Sequence, residues 1–408
     1  MHQRQHEGLQ SASHKVDADV VTPSPATELL LASLRWFAGT GDGAAMRQCA
    51  GRIQDWDAAI ELARAHWLEP LLAWQLRSAC ADMLEPAFAA RLHRILRAST
   101  AKHLLLAANL DKLLDIFQAH GIAAVPLKGP LLAAALCDEI PWRDSADLDL
   151  LVRRADITRA RDALIASGFR LDSQLPPGEE KAAFHWRSQL VLLRDGAGPA
   201  IDLHWQLLPS LYPCTRYFDS IWERLRHTEF HGRRVLTLAP EDNLFFLCAH
   251  AARHSWHNLR LAADVARLIH VSADFDWDRA IGAARNSDGA AVMALGLWIV
   301  NRLLDVRLPA EVLTWVDGSI GARKFATELI GRMLRTTPEQ HEHSAELALQ
   351  LRLAGGWWPR LRCAAGYALL PSDADGALRL PRRLFFLYYL YRPVRLTAKY
   401  GARLFGAA

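Results

Sequence analysis

Residues 143–152 read Arg-Asp-Ser-Ala-Asp-Leu-Asp-Leu-Leu-Val, and they are the most informative part of the sequence. The part from Leu148 to Val152 is typical of a buried strand. Because successive side chains of a strand point to opposite faces, Asp147 and Asp149 would share one face, and Leu148, Leu150 and Val152 would take the other. Two like charges so close together are unfavourable unless a cation neutralises them. The pattern therefore predicts a site for a hard divalent ion such as Mg²⁺ at the edge of a sheet.

A second strand candidate repeats this arrangement at residues 201–205. Asp202 and His204 would share one face of it. If the two strands are neighbours, Asp202 joins Asp147 and Asp149 as a third carboxylate. Three carboxylates can hold two metal ions, the arrangement used for in-line displacement at phosphorus. His204 would orient a metal carboxylate or a triphosphate, or else have a purely structural role.

A third motif lies upstream, where Lys128-Gly129-Pro130 follows a short apolar strand candidate at residues 122–127. Glycine lets the backbone approach a ligand closely, and the start of the next helix offers free N–H groups to phosphate. Lys128 adds a point charge for a phosphate oxygen. Arg143 could clamp a second phosphate with two N–H groups. The motif therefore predicts a phosphate-binding group beside the carboxylates.

The order of these motifs resembles that of a known family. Lys128-Gly129, Arg143, Asp147-x-Asp149 and then Asp202-Leu203-His204-Trp205 are similar to the uncharacterised nucleotidyltransferase-like family of the DNA polymerase beta superfamily. The resemblance covers most of residues 27–300 and is most specific over 120–206. It implies an α+β fold: a small mixed-sheet nucleotidyltransferase core, polymerase beta-like, flanked by N-terminal and C-terminal helical regions.

The resemblance also implies an activity. A nucleoside monophosphate would pass from an NTP to a hydroxyl or similar acceptor, and pyrophosphate would leave. Mg²⁺ or Mn²⁺ would be held by Asp147, Asp149 and Asp202. Most of the superfamily has a second glycine or a serine after the first glycine, whereas Pro130 follows it here, so Lys128 or Ser145 would supply that phosphate contact. The acceptor, whether a small molecule, a peptide, a protein or an RNA, stays open.

Hydrophobic periodicity and turn residues divide the chain into five parts. They are a flexible leader (1–25), an N-terminal helical region (26–117), the α/β core (118–238), a C-terminal helical domain (239–335) and a C-terminal helical extension with a basic aromatic tail (336–408). Within the core, residues 189–194 and 200–205 flank a glycine- and proline-containing turn, which predicts a β-hairpin.

A histidine-rich stretch begins the C-terminal helical domain, with His250, His254 and His257. The spacings of four and three place these residues on one face if the helix persists. They would face the cleft and touch substrate or triphosphate, although a polar interdomain face explains the spacing slightly better. Asp264 would act as a general base for the acceptor hydroxyl, or would pair with Arg260 or Arg267 on the helix surface.

Charge, cysteine content and hydropathy argue against several other classes of protein. A net charge of +4 in 408 residues is too small for a protein that coats nucleic acid. The six scattered cysteines indicate no disulfide scaffold, and the lack of a long apolar run favours a cytoplasmic protein without a spanning segment. The tail after residue 378 is basic and aromatic. We favour a terminal helix packed on the helical body over peripheral contact with anionic lipid or RNA.

Two other functions stay open on the residues alone. A glycosyltransferase also uses a DxD pair to hold a metal and a sugar nucleotide, but the mostly helical residues 27–120 precede the first strand, which argues against it. The other alternative is a non-catalytic nucleotidyltransferase fold that binds a partner, such as an antitoxin-like protein. A set of three clustered carboxylates argues against that alternative.

Overall fold

The computed structural model has a mixed α+β fold, as expected. It describes residues 23–137, 142–172, 187–194, 198–209, 212, 214–335, 343–369, 387 and 390–397. The predicted leader over 1–22 and most of the basic tail lie outside these residues. No helix in the described ranges is both long enough and apolar enough to cross a bilayer.

The region before the first strand is helical, as predicted. Its α-helices are α1 (Pro25–Phe37), α2 (Gly43–Ala50), α3 (Trp56–Ala65), α4 (Glu69–Ala79) and α5 (Pro86–Ala119). Ser24 begins α1, and its hydroxyl accepts a hydrogen bond from Thr27 N at 3.2 Å. Pro70 occupies the first turn of α4, where its missing N–H costs no helical bond.

The central sheet has five strands in the order β1-β2-β5-β4-β3. They are β1 (Ala124–Pro126), β2 (Asp147–Val152), β3 (Phe169–Leu171), β4 (Gln189–Arg194) and β5 (Ala200–His204). β2 and β5 are parallel neighbours, and the other neighbouring pairs are antiparallel. The predicted hairpin is confirmed as β4 and β5. Its three turn residues at 195–197 lie outside the described part of the chain.

Two helices and a separate ribbon complete the core. Helix α6 (Gly129–Leu136) follows β1, and α7 (Ile157–Ala166) follows β2. The strands β6 (Arg226–Phe230) and β7 (Arg233–Thr237) pair only with each other, as an antiparallel ribbon. The mostly polar and exposed side chains of β6 show no apolar alternation, so its sequence does not predict a strand.

The C-terminal region is again helical. Its α-helices are α8 (Pro240–Arg253), α9 (Leu259–Val271), α10 (Trp277–Asn286), α11 (Ala290–Leu304), α12 (Ala310–Gly318), α13 (Ile320–Arg335), α14 (His343–Leu353) and α15 (Trp357–Leu369). One tail residue, Arg392, donates a hydrogen bond from Nε to Tyr367 O at 2.8 Å and stacks on that ring. This contact agrees with the favoured packing of the tail on the helical body.

His250, His254 and His257 do not lie on one face of a helix, because the helix does not persist as far as that prediction required. Helix α8 ends at Arg253, and the chain then turns through Ser255 and Trp256, which both have left-handed backbone angles with φ near +50°. His257 therefore lies beyond the helix. The three histidines have helical spacing in the sequence, but the helix ends before His257, so the spacing does not place them on a common helical face.

The sheet lies between two hydrophobic cores. Leu148, Leu150 and Val152 point into one core, which they share with α7 and the C-terminal half of α5. Leu151 points into the other, which contains helices from both the N-terminal and the C-terminal regions. The predicted alternation along β2 is thus confirmed for its aliphatic side. The acidic residues lie at the start of the strand, where the second face is not covered by the core.

Candidate functional site

Two aspartates meet at the centre of the sheet because of the register between β2 and β5. Asp149 is the direct partner of Asp202 in this parallel pair, and Leu151 is the partner of His204. Asp202 and His204 are two residues apart, so they share one face of β5 with each other and with Asp149. One ligand atom from each of Asp149, Asp202 and His204 lies within 4.8 Å of the others. Sheet register alone therefore builds an Asp-Asp-His cluster.

Asp149 is held as a buried anion by two neighbours. Lys128 Nζ lies 3.1 Å from its Oδ2, and His204 Nε2 lies 3.0 Å from its Oδ1. Burial by itself would raise the pKa of the Asp149 carboxyl. The positive charge of Lys128 and the hydrogen bond from His204 outweigh burial and hold this pKa below its usual value. Asp149 therefore carries a full negative charge at neutral pH.

Asp202 has the opposite electrostatic environment. Burial and the charge of Asp149 raise the pKa of the Asp202 carboxyl to about 6. Gln189 Nε2, on the neighbouring strand β4, donates a hydrogen bond of 2.6 Å to Asp202 Oδ2 and orients this carboxylate. The two acids repel each other, and a cation between them would remove that repulsion. Oxygen-rich donor sets of this kind fit Mg²⁺ or Mn²⁺, so the residues present are suited to a divalent ion.

Asp147 stands apart from this cluster. It lies two residues before Asp149 on β2, is partly exposed, and is not within the 4.8 Å group. It nevertheless lines the same cleft, and its charge contributes to the raised pKa of Asp202. The role of Asp147 as a metal ligand stays a prediction, whereas His204 joins the two central aspartates through the strand register.

The cluster forms the floor of a cleft of about 430 Å³, a volume ordinary for small-molecule sites. Its walls include the turn between β1 and α6, the turn between α3 and α4, the segment from residue 143 to β2, and the C-terminal helices α8 and α9. Basic side chains on these walls are Lys128, Arg143, Arg253 and Arg260. The cleft thus places positive charge around an acidic floor.

Gly129 and Ser145 were both expected at a phosphate. Gly129 has φ of +65°, a left-handed conformation that favours glycine, at the start of α6. A Cβ there would meet Leu148 only at 3.7 Å, so backbone conformation and not crowding accounts for the glycine. Ser145 lines the cleft, and its hydroxyl accepts a hydrogen bond of 2.8 Å from Arg143. Neither phosphate-binding role is tested by these contacts.

Arg143 forms a buried ion pair with Asp264. Its Nε lies 3.1 Å from Asp264 Oδ1, and a second nitrogen lies 3.3 Å from Oδ2. Both side chains are at most 3% exposed. Asp264 also lies 3.9 Å from a terminal nitrogen of Arg260, so the expected ion pair with Arg260 is present, but it is buried and not on the helix surface. Asp264 binds the arginine that was expected to clamp a phosphate, and it does not line the cleft.

The histidines border the cleft on its C-terminal side. The ring centroids of His250 and His254 are 4.6 Å apart, and those of His254 and His257 are 5.9 Å apart. Burial lowers the pKa of His250 well below its ordinary value, and the positive charge of Lys128 lowers it further. His250 is therefore neutral at physiological pH. A neutral imidazole can accept a hydrogen bond from a substrate hydroxyl.

Some cleft residues were not anticipated from the sequence: Trp67, Gln189, Arg253 and Arg260. Gln189 could have been found from the hairpin, since the register of β4 and β5 places it opposite His204, next to Asp202. Arg260 was considered only as a surface partner of Asp264. Trp67 carries no sequence signal, because its place at the cleft depends on the contact between the turn that joins α3 to α4 and the start of α9.

Comparison with known proteins bears on this arrangement. A family model described as "uncharacterised nucleotidyltransferase" matches residues 53–305, which include every residue of the cleft. Neither the curated proteins nor the solved structures that were compared contain a match to the chain. The family match spans well over half of the sequence, and it agrees with the resemblance inferred from the motif order. The chain belongs to the uncharacterised nucleotidyltransferase family.

Proposed function

We propose that this protein is a metal-dependent nucleotidyltransferase with a polymerase beta-like core. It would move a nucleoside monophosphate from an NTP to a hydroxyl or similar acceptor and release pyrophosphate. The observation that carries the proposal is the cluster of Asp149, Asp202 and His204 on the floor of a basic cleft. Family membership supports nucleotidyl transfer in general terms.

The carboxylates would hold Mg²⁺ or Mn²⁺. Asp149 and Asp202 are the central ligands in this proposal, and Asp147 joins them from the rim of the cleft. Bound there, the ion supplies positive charge to the reacting phosphate and lowers the pKa of the acceptor hydroxyl. Gln189 fixes the orientation of Asp202, and His204 fixes that of Asp149.

The basic walls would bind the triphosphate. Lys128 Nζ is within reach of the cluster and borders the cleft, so a rotation of its flexible side chain can bring it to a phosphate oxygen. In the transfer, the acceptor oxygen bonds to the α-phosphorus and the bond from that phosphorus to the bridging oxygen breaks. The hydroxyl proton passes to a carboxylate of the cluster, and pyrophosphate carries away the leaving electron pair. His250 and His254 would border the acceptor.

A direct test measures transfer with the full chain. The protein is incubated with each of the four NTPs, Mg²⁺ or Mn²⁺ and pools of acceptors, and pyrophosphate release and product mass are recorded. We expect Asp149→Asn and Asp202→Asn to lose turnover. Asp162→Asn is the matched control, because its carboxylate is 59% exposed on α7 and outside the cleft. Unchanged turnover in both cluster variants would refute the proposed site.

Nucleotide binding without transfer is the second candidate. It is favoured by the ion pair between Lys128 and Asp149, which balances one carboxylate without a metal. Under that alternative, NTPs would bind equally well in the presence of a chelator and no pyrophosphate would form. Sugar nucleotides are included in the same screen, since preferential binding of these would instead indicate a glycosyltransferase.

A further inference from the structure

Two arginines border the upper cleft, and their hydrogen bonding differs sharply. All three nitrogens of Arg143 already have partners: Nε and one terminal nitrogen bind Asp264, and the other binds Ser145 Oγ. Its side chain is only 3% exposed. Burial and these bonds leave little of the guanidinium accessible for a bidentate contact with a phosphate. Arg143 therefore joins the segment before β2 to helix α9.

Arg260 is the opposite case. Its side chain is 12% exposed and borders the cleft. Within the part of the chain that the structure describes, its buried Nε has no hydrogen-bond partner. The acid that it approaches, Asp264, lies 3.9 Å from its terminal nitrogen, which is beyond hydrogen-bond distance, and is already bound by Arg143. A desolvated guanidinium whose nearest carboxylate in the structure is a long ion pair is poorly compensated, so this arrangement favours an anion from outside the chain.

The position of Arg260 is fixed by an aromatic neighbour. Its guanidinium carbon lies 5.3 Å from the centroid of the Trp67 ring. Trp67 has φ of +62°, an uncommon conformation for this residue type, in the turn between α3 and α4. The adjacent His66 is buried and accepts a hydrogen bond of 3.2 Å from Leu259 N, at the start of α9. The turn that carries Trp67 is therefore joined to the helix that carries Arg260.

We propose that Arg260, and not Arg143, is the arginine that binds the phosphate oxyanions of the nucleotide in this cleft. This inference rests on the proposed function, and it assigns recognition of the triphosphate to Arg260. The planar fork of Arg260 is suited to two phosphate oxygens, and Trp67 holds it in place. Burial and the nearby charge of Arg143 lower the pKa of Arg260 to about 10, so it still carries its charge at neutral pH. Arg143 is a positioning residue: it takes the hydrogen bonds of Asp264 and leaves Arg260 only a 3.9 Å ion pair with that carboxylate.

The test compares phosphate binding by variants of the full chain. Arg260→Gln removes the charge, and Arg260→Lys keeps the charge but removes the fork. Arg285→Gln is the matched control, because Arg285 also stacks on a tryptophan, Trp315, at 5.5 Å, but does so outside the cleft. Calorimetry with Mg²⁺ measures the affinity of each variant for ATP, ADP, AMP and inorganic tripolyphosphate. Thermal unfolding checks the fold, which Arg260→Gln should retain, since Asp264 keeps Arg143 as its partner.

We expect Arg260→Gln to weaken ATP and tripolyphosphate binding roughly ten- to hundredfold, the range typical of a lost charge-assisted contact. Arg260→Lys should give an intermediate loss. AMP should be affected least, and the control should match the wild type. Equal ATP affinity in the wild type and in Arg260→Gln would overturn the inference and leave the proposed transfer intact. If the wild type binds tripolyphosphate but no NTP, and Arg260→Gln weakens that binding, only the proposed function would be overturned. No binding of either probe to the wild type would overturn both.

Discussion

Asp149 and Asp202 are direct register partners across the parallel strands β2 and β5. The two carboxylates have opposite electrostatic environments, since Lys128 and His204 stabilise the charge of Asp149, whereas Asp149 itself disfavours the charge of Asp202. The site is thus strained electrostatically without a cation. Removing the charge of Asp202 should therefore stabilise the metal-free protein and weaken metal binding.

Asp202→Asn should stabilise the metal-free protein and abolish metal binding. The raised pKa of about 6 means that the folded state holds a proton on Asp202 more tightly than the unfolded state does, so ionised Asp202 lowers the free energy of unfolding above pH 6. Removing that charge should raise this free energy by roughly 1–3 kcal/mol at pH 7.5. The Asn oxygen can still accept the hydrogen bond from Gln189.

Urea unfolding in the presence of a chelator measures the stability of Asp202→Asn, and electron paramagnetic resonance with Mn²⁺ measures binding. The exposed control Asp162→Asn should change stability by no more than about 0.5 kcal/mol. A variant that is less stable than the wild type and still binds Mn²⁺ would contradict the electrostatic account.

His250 should make the protein less stable in acid. Its pKa is lowered in the folded state, so the unfolded state binds more protons, and the free energy of unfolding decreases as pH falls below about 6.5, the usual value for histidine. One such group contributes at most about 1.4 kcal/mol per pH unit. His250→Gln should reduce the slope of stability between pH 7 and 5, and denaturant unfolding across this range measures it. The exposed His227→Gln should leave the slope unchanged.

The Arg143–Asp264 ion pair should be costly to break from one side. Asp264→Asn leaves the guanidinium of Arg143 buried without its carboxylate, and we expect a loss of about 3–5 kcal/mol in the free energy of unfolding. Replacing both residues, as Arg143→Met with Asp264→Leu, should cost clearly less than the sum of the single replacements. A double-mutant cycle by urea unfolding measures the coupling energy. Additive effects would show that the pair is not coupled.

Gly129→Ala should destabilise through the backbone alone. An alanine Cβ meets no atom closer than 3.7 Å, but φ of +65° is unfavourable for it, so we expect a loss of about 1–2 kcal/mol in the free energy of unfolding. Gly282→Ala is the opposite control. Gly282 lies within α10 with open space around it, and there the substitution should be neutral or slightly stabilising. Thermal and urea unfolding compare the two variants.

The alternation of apolar and polar residues predicted those features of the site that are set within a single strand. The alternation in residues 147–152 correctly predicted an aliphatic side that is buried, and the flanks of the glycine-containing turn predicted β4 and β5. Strand adjacency was the remaining assumption for Asp202, and the register of β2 with β5 confirms it. These features follow from period-two patterning, which a sequence displays directly.

The rest of the cleft depends on contacts between distant parts of the chain. Whether Asp147 or His204 lies closest to the central aspartates is decided by which residue of β5 pairs with Asp149, and strand patterns do not contain that register. Trp67 and Arg260 are far apart in sequence and meet only because the turn between α3 and α4 contacts α9. The partner of Arg143, Asp264, is likewise 121 residues away, so their ion pair could not be predicted from local patterns.

Helix α5 runs through both hydrophobic cores and connects them. Its 34 residues make a rod of about 51 Å that places Leu92 in one hydrophobic core and Leu106 to Phe117 in the other. Because most helical stability in proteins comes from tertiary packing, unfolding of one core removes the packing of one part of this helix and weakens the connection to the other core. The described helical and sheet layers should therefore denature as one cooperative unit, with a single calorimetric transition whose van't Hoff and calorimetric enthalpies agree.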